Sequence, residues 1–155
     1  MTSSAPSKSS ARTSAGFTIA EVLITIGIVG LLVVLSIPVY ESFQVRNDLG
    51  TAKNNVVQSL RRAQTLAGAS DGDTSWGVTV QSGSIVLFRG ASYAVRDTTY
   101  DETFTLPGTI TASGTTEVVY AKFTGMPQST GTITMTAVNG QTSTISINEK
   151  GTLTY

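Results

Sequence analysis

The 155-residue chain carries ten acidic and ten basic residues and a formal net charge of zero, which argues against a protein built mainly to hold nucleic acid. It contains no cysteine and no histidine, so disulfide frameworks, thiol nucleophiles, Cys- or His-ligated metals and Ser-His-Asp triads are all excluded. The length suits one domain of ordinary size.

Residues 1–15 are rich in Ser, Thr and Ala, with Lys8 and Arg12 as their only charges. They show no apolar periodicity and read as a disordered leader. Two positive charges before an apolar run favour keeping this end in the cytoplasm. From there to Glu41 the only charge is Glu21. A carboxylate near the start of a membrane-length apolar helix is costly, roughly 2.5–3.5 kcal/mol on insertion scales at a helix centre, and so suggests a function.

Residues 22–40 form an uncharged run of 19. As a helix they would span about 28 Å, close to the ~30 Å hydrocarbon core. The run is longer than a secretory signal core, and Ser36-Ile37-Pro38-Val39-Tyr40 offers no A-x-A-like cleavage site. A retained transmembrane segment is therefore expected over a discarded signal. Pro38 is expected to kink the helix rather than end it, because Val39, Phe43, Leu49, Ala52, Val56, Leu60, Ala63 and Ala67 continue at mostly three- and four-residue steps. Arg46, Lys53, Arg61 and Arg62 mark the polar face, and Gly68 is a helix stop. One long helix is expected from Phe17 to about Gly68, apolar all round in its first half and amphipathic in its second.

From Trp76 the period changes to two. Ser82-Gly83 as a two-residue turn would pair Val80 with Ile85 and Val78 with Leu87. Residues 92–96, 103–106, 117–123, 132–138 and 142–148 are further strand candidates. A two-residue Asn139-Gly140 turn would set Met135 against Thr144. A three-residue loop, Val138-Asn139-Gly140 with Gly140 left-handed, sets Ile133 against Ile145 and keeps the apolar faces together. The abundance of Thr in this region suits strands with one solvated face.

Other clusters carry weaker signals. Asp71-Gly72-Asp73, and Asp97 with Asp101 and Glu102, supply oxygen ligands of the type calcium takes, but loop carboxylates usually form turns; no metal and no other cofactor is expected. Arg61-Arg62 reads as a solvated helix face rather than a phosphate site. Trp76, Tyr93, Tyr100 and Tyr120 read as sheet packing. No convergent carboxylate pair is apparent, and a non-enzyme is expected.

Gly16-Phe17-Thr18-Ile19-Ala20-Glu21-Val22-Leu23, with Pro38 downstream, closely resembles the class III signal of type IV prepilins and type II secretion pseudopilins. The resemblance covers residues 16 to about 40. It implies cleavage by a prepilin peptidase after Gly16 and N-methylation of the new amine at Phe17. It also implies storage in the cytoplasmic (inner) membrane as a single-pass protein, with the N-terminus in the cytoplasm and the C-terminal domain outside. An assembly platform in that membrane would then draw the subunit into a periplasmic or cell-surface filament with other pilins or pseudopilins. Glu21 would meet the Phe17 amine of a neighbouring subunit and set axial register, as buried polar pairs do in coiled coils.

Beyond the helix, the helix end at 60–67, Trp76-Gly77-Val78 and the strands leading to Thr152-Leu153 resemble the H-type pseudopilin branch. Some of its members are implicated in DNA uptake. Gly151-Thr152-Leu153-Thr154-Tyr155 carries no basic residue, so nucleic acid is not an expected partner.

The expected fold class is α+β, a long N-terminal helix packed on an antiparallel β-sheet or sandwich domain. Its divisions are a cleaved leader at 1–16, a transmembrane and filament-core helix at 17–40, an amphipathic helix half at 41–69 and a β-rich domain at 70–155. The expected function is a structural subunit, a minor pilin or pseudopilin of a type II secretion or type IV pilus-like filament. A major type IV pilin is the alternative, as is a membrane-tethered adhesin or DNA-uptake receptor.

Overall fold

The computed structural model describes residues 16–155, and within the first helix the side chains of 36–39 and 41 lie outside the described set. Helix α1 spans Ile19–Gly68. A 3-10 turn follows at Asp71–Asp73, then strands β1 (Trp76–Gln81), β2 (Ser84–Arg89), β3 (Asp97–Thr105), β4 (Ile110–Gly114), β5 (Glu117–Tyr120), β6 (Gly131–Ala137), β7 (Thr142–Ile147) and β8 (Leu153–Thr154). The chain divides into two compact units, Met1–Val39 and Tyr40–Tyr155.

In the second unit the strands form two four-stranded antiparallel sheets, in the orders β3-β2-β1-β5 and β4-β6-β7-β8. Leu49, Ala52, Val56, Leu60, Ala63 and Ala67 of α1 bury one stripe in a core shared with both sheets. The helix contributes at i, i+3, i+4 and i+7 spacing. The first sheet adds Val78, Val80, Ile85, Leu87, Val118 and Tyr120, and the second adds Ile110, Ile133, Met135, Ile145 and Ile147. Each fully buried aliphatic side chain here stabilises the fold by about 1.5–3 kcal/mol. Residues on the outer side of the second sheet are hydroxyls: Thr132, Thr134 and Thr136 alternate with buried Ile133, Met135 and Ala137.

The turn-based registers hold. Val80 pairs with Ile85 and Val78 with Leu87. Ile133 faces Ile145, and Gly140 is left-handed at φ 82°. The bulged loop closes through the Ala137 N–H donating to the Gln141 carbonyl at 2.8 Å and the Gly140 N–H to the Ala137 carbonyl at 2.9 Å.

The first sheet is also buried on its far side. There Phe88, Gly77 and Val119 lie in one row across three strands, and Val86, Phe88 and Val119 form a second small cluster with Tyr93. Tyr93 belongs to a segment expected to be a strand. Residues Tyr93–Val95 instead form a 3-10 turn, held by one partner from β5 and one from the same loop. The Tyr93 N–H donates to a Glu117 carboxylate oxygen at 2.9 Å, the Arg96 guanidinium donates to the Tyr93 carbonyl at 2.8 Å, and the Tyr93 ring meets Phe88 edge-on at 5.7 Å.

Several expectations need correction. No helix among the described residues is long and apolar enough to cross a membrane. The uncharged run at 22–40 was expected to supply that span. The transmembrane half of the expected fold is overturned by this. The single-pass placement in the inner membrane was drawn from the same run and is overturned with it. The α+β class built on a long membrane helix is replaced by a helix segment, 42–68, associated with two four-stranded sheets. Phe43, expected on the apolar stripe, is 62% exposed, because helix residues enter the core only from Leu49 onward. The side chain of Pro38, the expected kink, and the leader at 1–15 lie outside the described residues.

Candidate functional site

The N-terminal stretch concentrates the sequence-predicted site residues. Gly16 and Phe17 precede the helix and are exposed, Phe17 to 81%. Thr18 starts the helix. Its carbonyl accepts the Val22 N–H at 3.2 Å, and its Oγ1 accepts the Glu21 N–H at 3.2 Å. A Thr at the N-cap with a Glu three residues later has the capping-box spacing, and its Thr18 half satisfies one helix N-terminal donor that otherwise lacks a partner. The Thr-x-x-Glu spacing is present in the sequence as Thr18-Ile19-Ala20-Glu21. The Glu21 carboxylate also sits in the first helical turn, where the helix dipole favours negative charge. Among the described residues no cation forms a salt bridge with Glu21.

Beyond Glu21 the surface is apolar on every side. Ile19, Leu23, Ile26, Val29, Leu31 and Val34 are each more than half exposed, and their spacing takes in all faces of a 3.6-residue helix. Thr25 does not break this surface, because its Oγ1 donates back to the Val22 carbonyl at 2.8 Å. Gly27 and Gly30 have open space where a Cβ would stand. Exposed apolar area of this extent marks an interaction surface.

The remaining candidate clusters resolve into structural contacts. Asp73 pairs with Lys122 at 2.7 Å, Asp101 with Arg96 at 2.8 Å and Glu102 with Arg62 at 2.6 Å. Asp97 Oδ1 accepts the Thr99 N–H. Among the described residues no group of three or more acidic side chains is placed to hold a metal ion. Lys122, through its hydrogen bond first and its charge second, holds the Asp73 carboxyl below its ordinary range. The hydrogen bond to Asp101 raises the Arg96 guanidinium above its own. Arg61 donates to the Tyr155 hydroxyl at 3.0 Å, so the Arg61-Arg62 pair is occupied on both sides. Trp76 and Tyr120 are core residues, and Tyr100 packs edge-on to Trp76 at 6.4 Å.

Phe123 ends the segment 117–123 expected to be a strand, but β5 stops at Tyr120. Phe123 adopts φ 70°, a left-handed conformation that bulky residues rarely take, and it is 68% exposed.

In comparisons with protein-family models, curated proteins and solved structures, none matches this chain.

Proposed function

We propose that this chain is a structural subunit, of the pilin or pseudopilin kind, that is cut after Gly16 by a prepilin peptidase and assembles into a filament through its N-terminal helix. The observation that carries the reading is the exposed, all-round apolar helix surface of 19–35 directly after an exposed Gly16-Phe17 bond. A surface of that kind is stable in water only when covered. Copies of the same helix, or those of related subunits, cover it with matching chemistry.

Cleavage would create a positive amine at Phe17 next to a carboxylate that has no cationic partner among the described residues. In an apolar bundle the carboxylate needs one. The Phe17 amine of a neighbouring copy, shifted along the filament, supplies it. No catalytic role is read into the chain: Asp73, Asp101 and Glu102 are engaged in ion pairs and Asp97 in a turn. The partners in this reading are the peptidase, other subunits and the machinery that assembles them.

The test is the intact mass of the mature chain together with N-terminal sequencing. A chain beginning at Phe17 with one added methyl is expected, and Gly16→Ala should block the cut. Normal processing of that variant would sink the cleavage assignment. A processed chain that forms no oligomer through 19–35, read by crosslinking, would sink the assembly assignment.

A further inference from the structure

Ser59 is only 3% exposed, and its Oγ has no hydrogen-bond partner among the described residues. An unpartnered buried hydroxyl destabilises a fold, and alanine would fill the same position without that cost. Serine is also a weaker helix former than alanine. Neither packing nor helix propensity therefore accounts for a hydroxyl at this position, and a buried polar group of this kind calls for a partner.

Ser59 lines a pocket of about 180 Å³ between α1 and β3, together with Asn55, Gln58, Arg62 and Phe104. The four helix residues stand at i, i+3, i+4 and i+7, so they share one face. Ser59 is buried, Asn55 half-buried, and Gln58 and Arg62 exposed, which puts Ser59 at the inner end and the longer side chains at the rim. Phe104, 36% exposed, lines the pocket from the strand side. β3 is an edge strand of its sheet, so no further strand among the described residues covers the mouth.

Arg62 is the one charged residue of this lining, and Glu102 balances it at 2.6 Å, so the pocket holds no net charge for an ionic ligand to seek. That bond occupies one terminal nitrogen of the guanidinium, and the fork keeps further N–H donors. The Asn55 and Gln58 amides and the Ser59 hydroxyl each donate and accept, while Phe104 adds an apolar face. A pyranose ring matches this set: its hydroxyls donate and accept around the rim, and its axial C–H bonds form an apolar face that lies on an aromatic ring. A cavity of about 150 Å³ holds one benzene ring, so the pocket admits one six-membered ring. We propose that it binds one sugar unit of an uncharged glycan, with the ring on Phe104, Asn55, Gln58 and Arg62 on its hydroxyls, and Ser59 Oγ at the inner end. The inference goes beyond the filament reading and does not depend on it, because all five residues lie in the unit Tyr40–Tyr155.

The test is a titration of the full chain, held in dodecylphosphocholine micelles, with the methyl β-pyranosides of glucose, galactose and N-acetylglucosamine. The readout is the side-chain amide NMR signals of Asn55 and Gln58. At least one sugar should give shifts that saturate, and glycerol should give none. Ser59→Ala should raise the melting temperature of the free chain and weaken binding of that sugar about fivefold, the loss of one hydrogen bond. Phe104→Ala should weaken it about tenfold, as loss of a binding anchor does. No saturable shift with any of the three sugars overturns the site, and equal shifts with glycerol overturn recognition of the ring. Binding that survives both substitutions unchanged places the sugar elsewhere and overturns the pocket. A fall in melting temperature for Ser59→Ala shows that the hydroxyl is satisfied within the fold and overturns its assignment to the sugar.

Discussion

The Glu21 amide lies 3.2 Å from Thr18 Oγ1, so the residue singled out for its charge also closes the first turn of the helix. The hydroxyl serves an amide donor that the helix itself cannot satisfy. Thr18→Ala should therefore weaken the helix start by about 1 kcal/mol. The measurement is amide hydrogen exchange at Glu21, expected to be about fivefold faster. Unchanged exchange would remove Thr18 from the cap.

Charge and cap can be separated at position 21 itself. Glutamine serves as well as glutamate in the capping box, so Glu21→Gln should preserve the helix start, read by the same exchange measurement. It should still fail to assemble if a neighbouring Phe17 amine needs a carboxylate. Glu21→Ala should lose assembly as well. Wild-type assembly of the Gln variant, by crosslinking, would show that the carboxylate's charge plays no part.

Gly77 sits mid-strand in β1, opposite Phe88 and beside Val119. The Phe88 ring lies over it, and an added Cβ would collide with the ring's Cζ atom. The ring is itself boxed in by Tyr93, edge-on at 5.7 Å. Gly77→Ala should therefore destabilise the fold by roughly 1–3 kcal/mol, as overpacking does, and should shift the near-UV signal of the aromatic cluster. A melting temperature equal to wild type would mean that Phe88 can move aside.

The β1–β2 and β6–β7 hairpins were legible because turn residues and alternation point to one register. Ile133 and Ile145 share a face only if Gly140 closes a three-residue loop, and they do share it. Strand β4 was missed because Ile110 is its only fully buried residue, leaving too little alternation to read. The turn at Tyr93–Val95 was misread as a strand because its aromatic and β-branched residues suit strands; the Glu117 and Arg96 contacts that override this preference come from elsewhere in the fold or loop. In the candidate site, Gly16, Phe17 and Glu21 stood out by pattern. Phe123 did not, because the Ala67 carbonyl that its N–H reaches lies 56 positions away along the chain.

Lys122 holds the Asp73 carboxyl below its ordinary value of 3.8 by a hydrogen bond and by its charge. A carboxyl depressed in the folded state contributes stability above its unfolded value, and the contribution is lost as pH falls through the folded value. The Asp73 carboxyl resonance should therefore titrate with a midpoint below 3.8, and Lys122→Ala should return it to the ordinary range. A midpoint that ignores the Lys122 substitution would sever the pair.

Tyr120 is wholly buried in the core, and its hydroxyl has no hydrogen-bond partner among the described residues. Burial pushes the phenol up from 10.0 to about 12. Because the folded value lies above the unfolded one, the stabilising contribution is complete below pH ~10 and is lost as pH rises towards ~12. That window is worth on the order of 2–3 kcal/mol, from about 1.4 kcal/mol per pKa unit. An alkaline denaturation series should show the wild type weakening across it, with Tyr120→Phe losing less. At neutral pH the same variant removes an unpartnered buried polar group, whose desolvation costs about 1–3 kcal/mol. It should therefore melt at or above the wild-type temperature. A Phe variant that melts well below wild type at neutral pH would show that the Tyr120 hydroxyl is satisfied in solution.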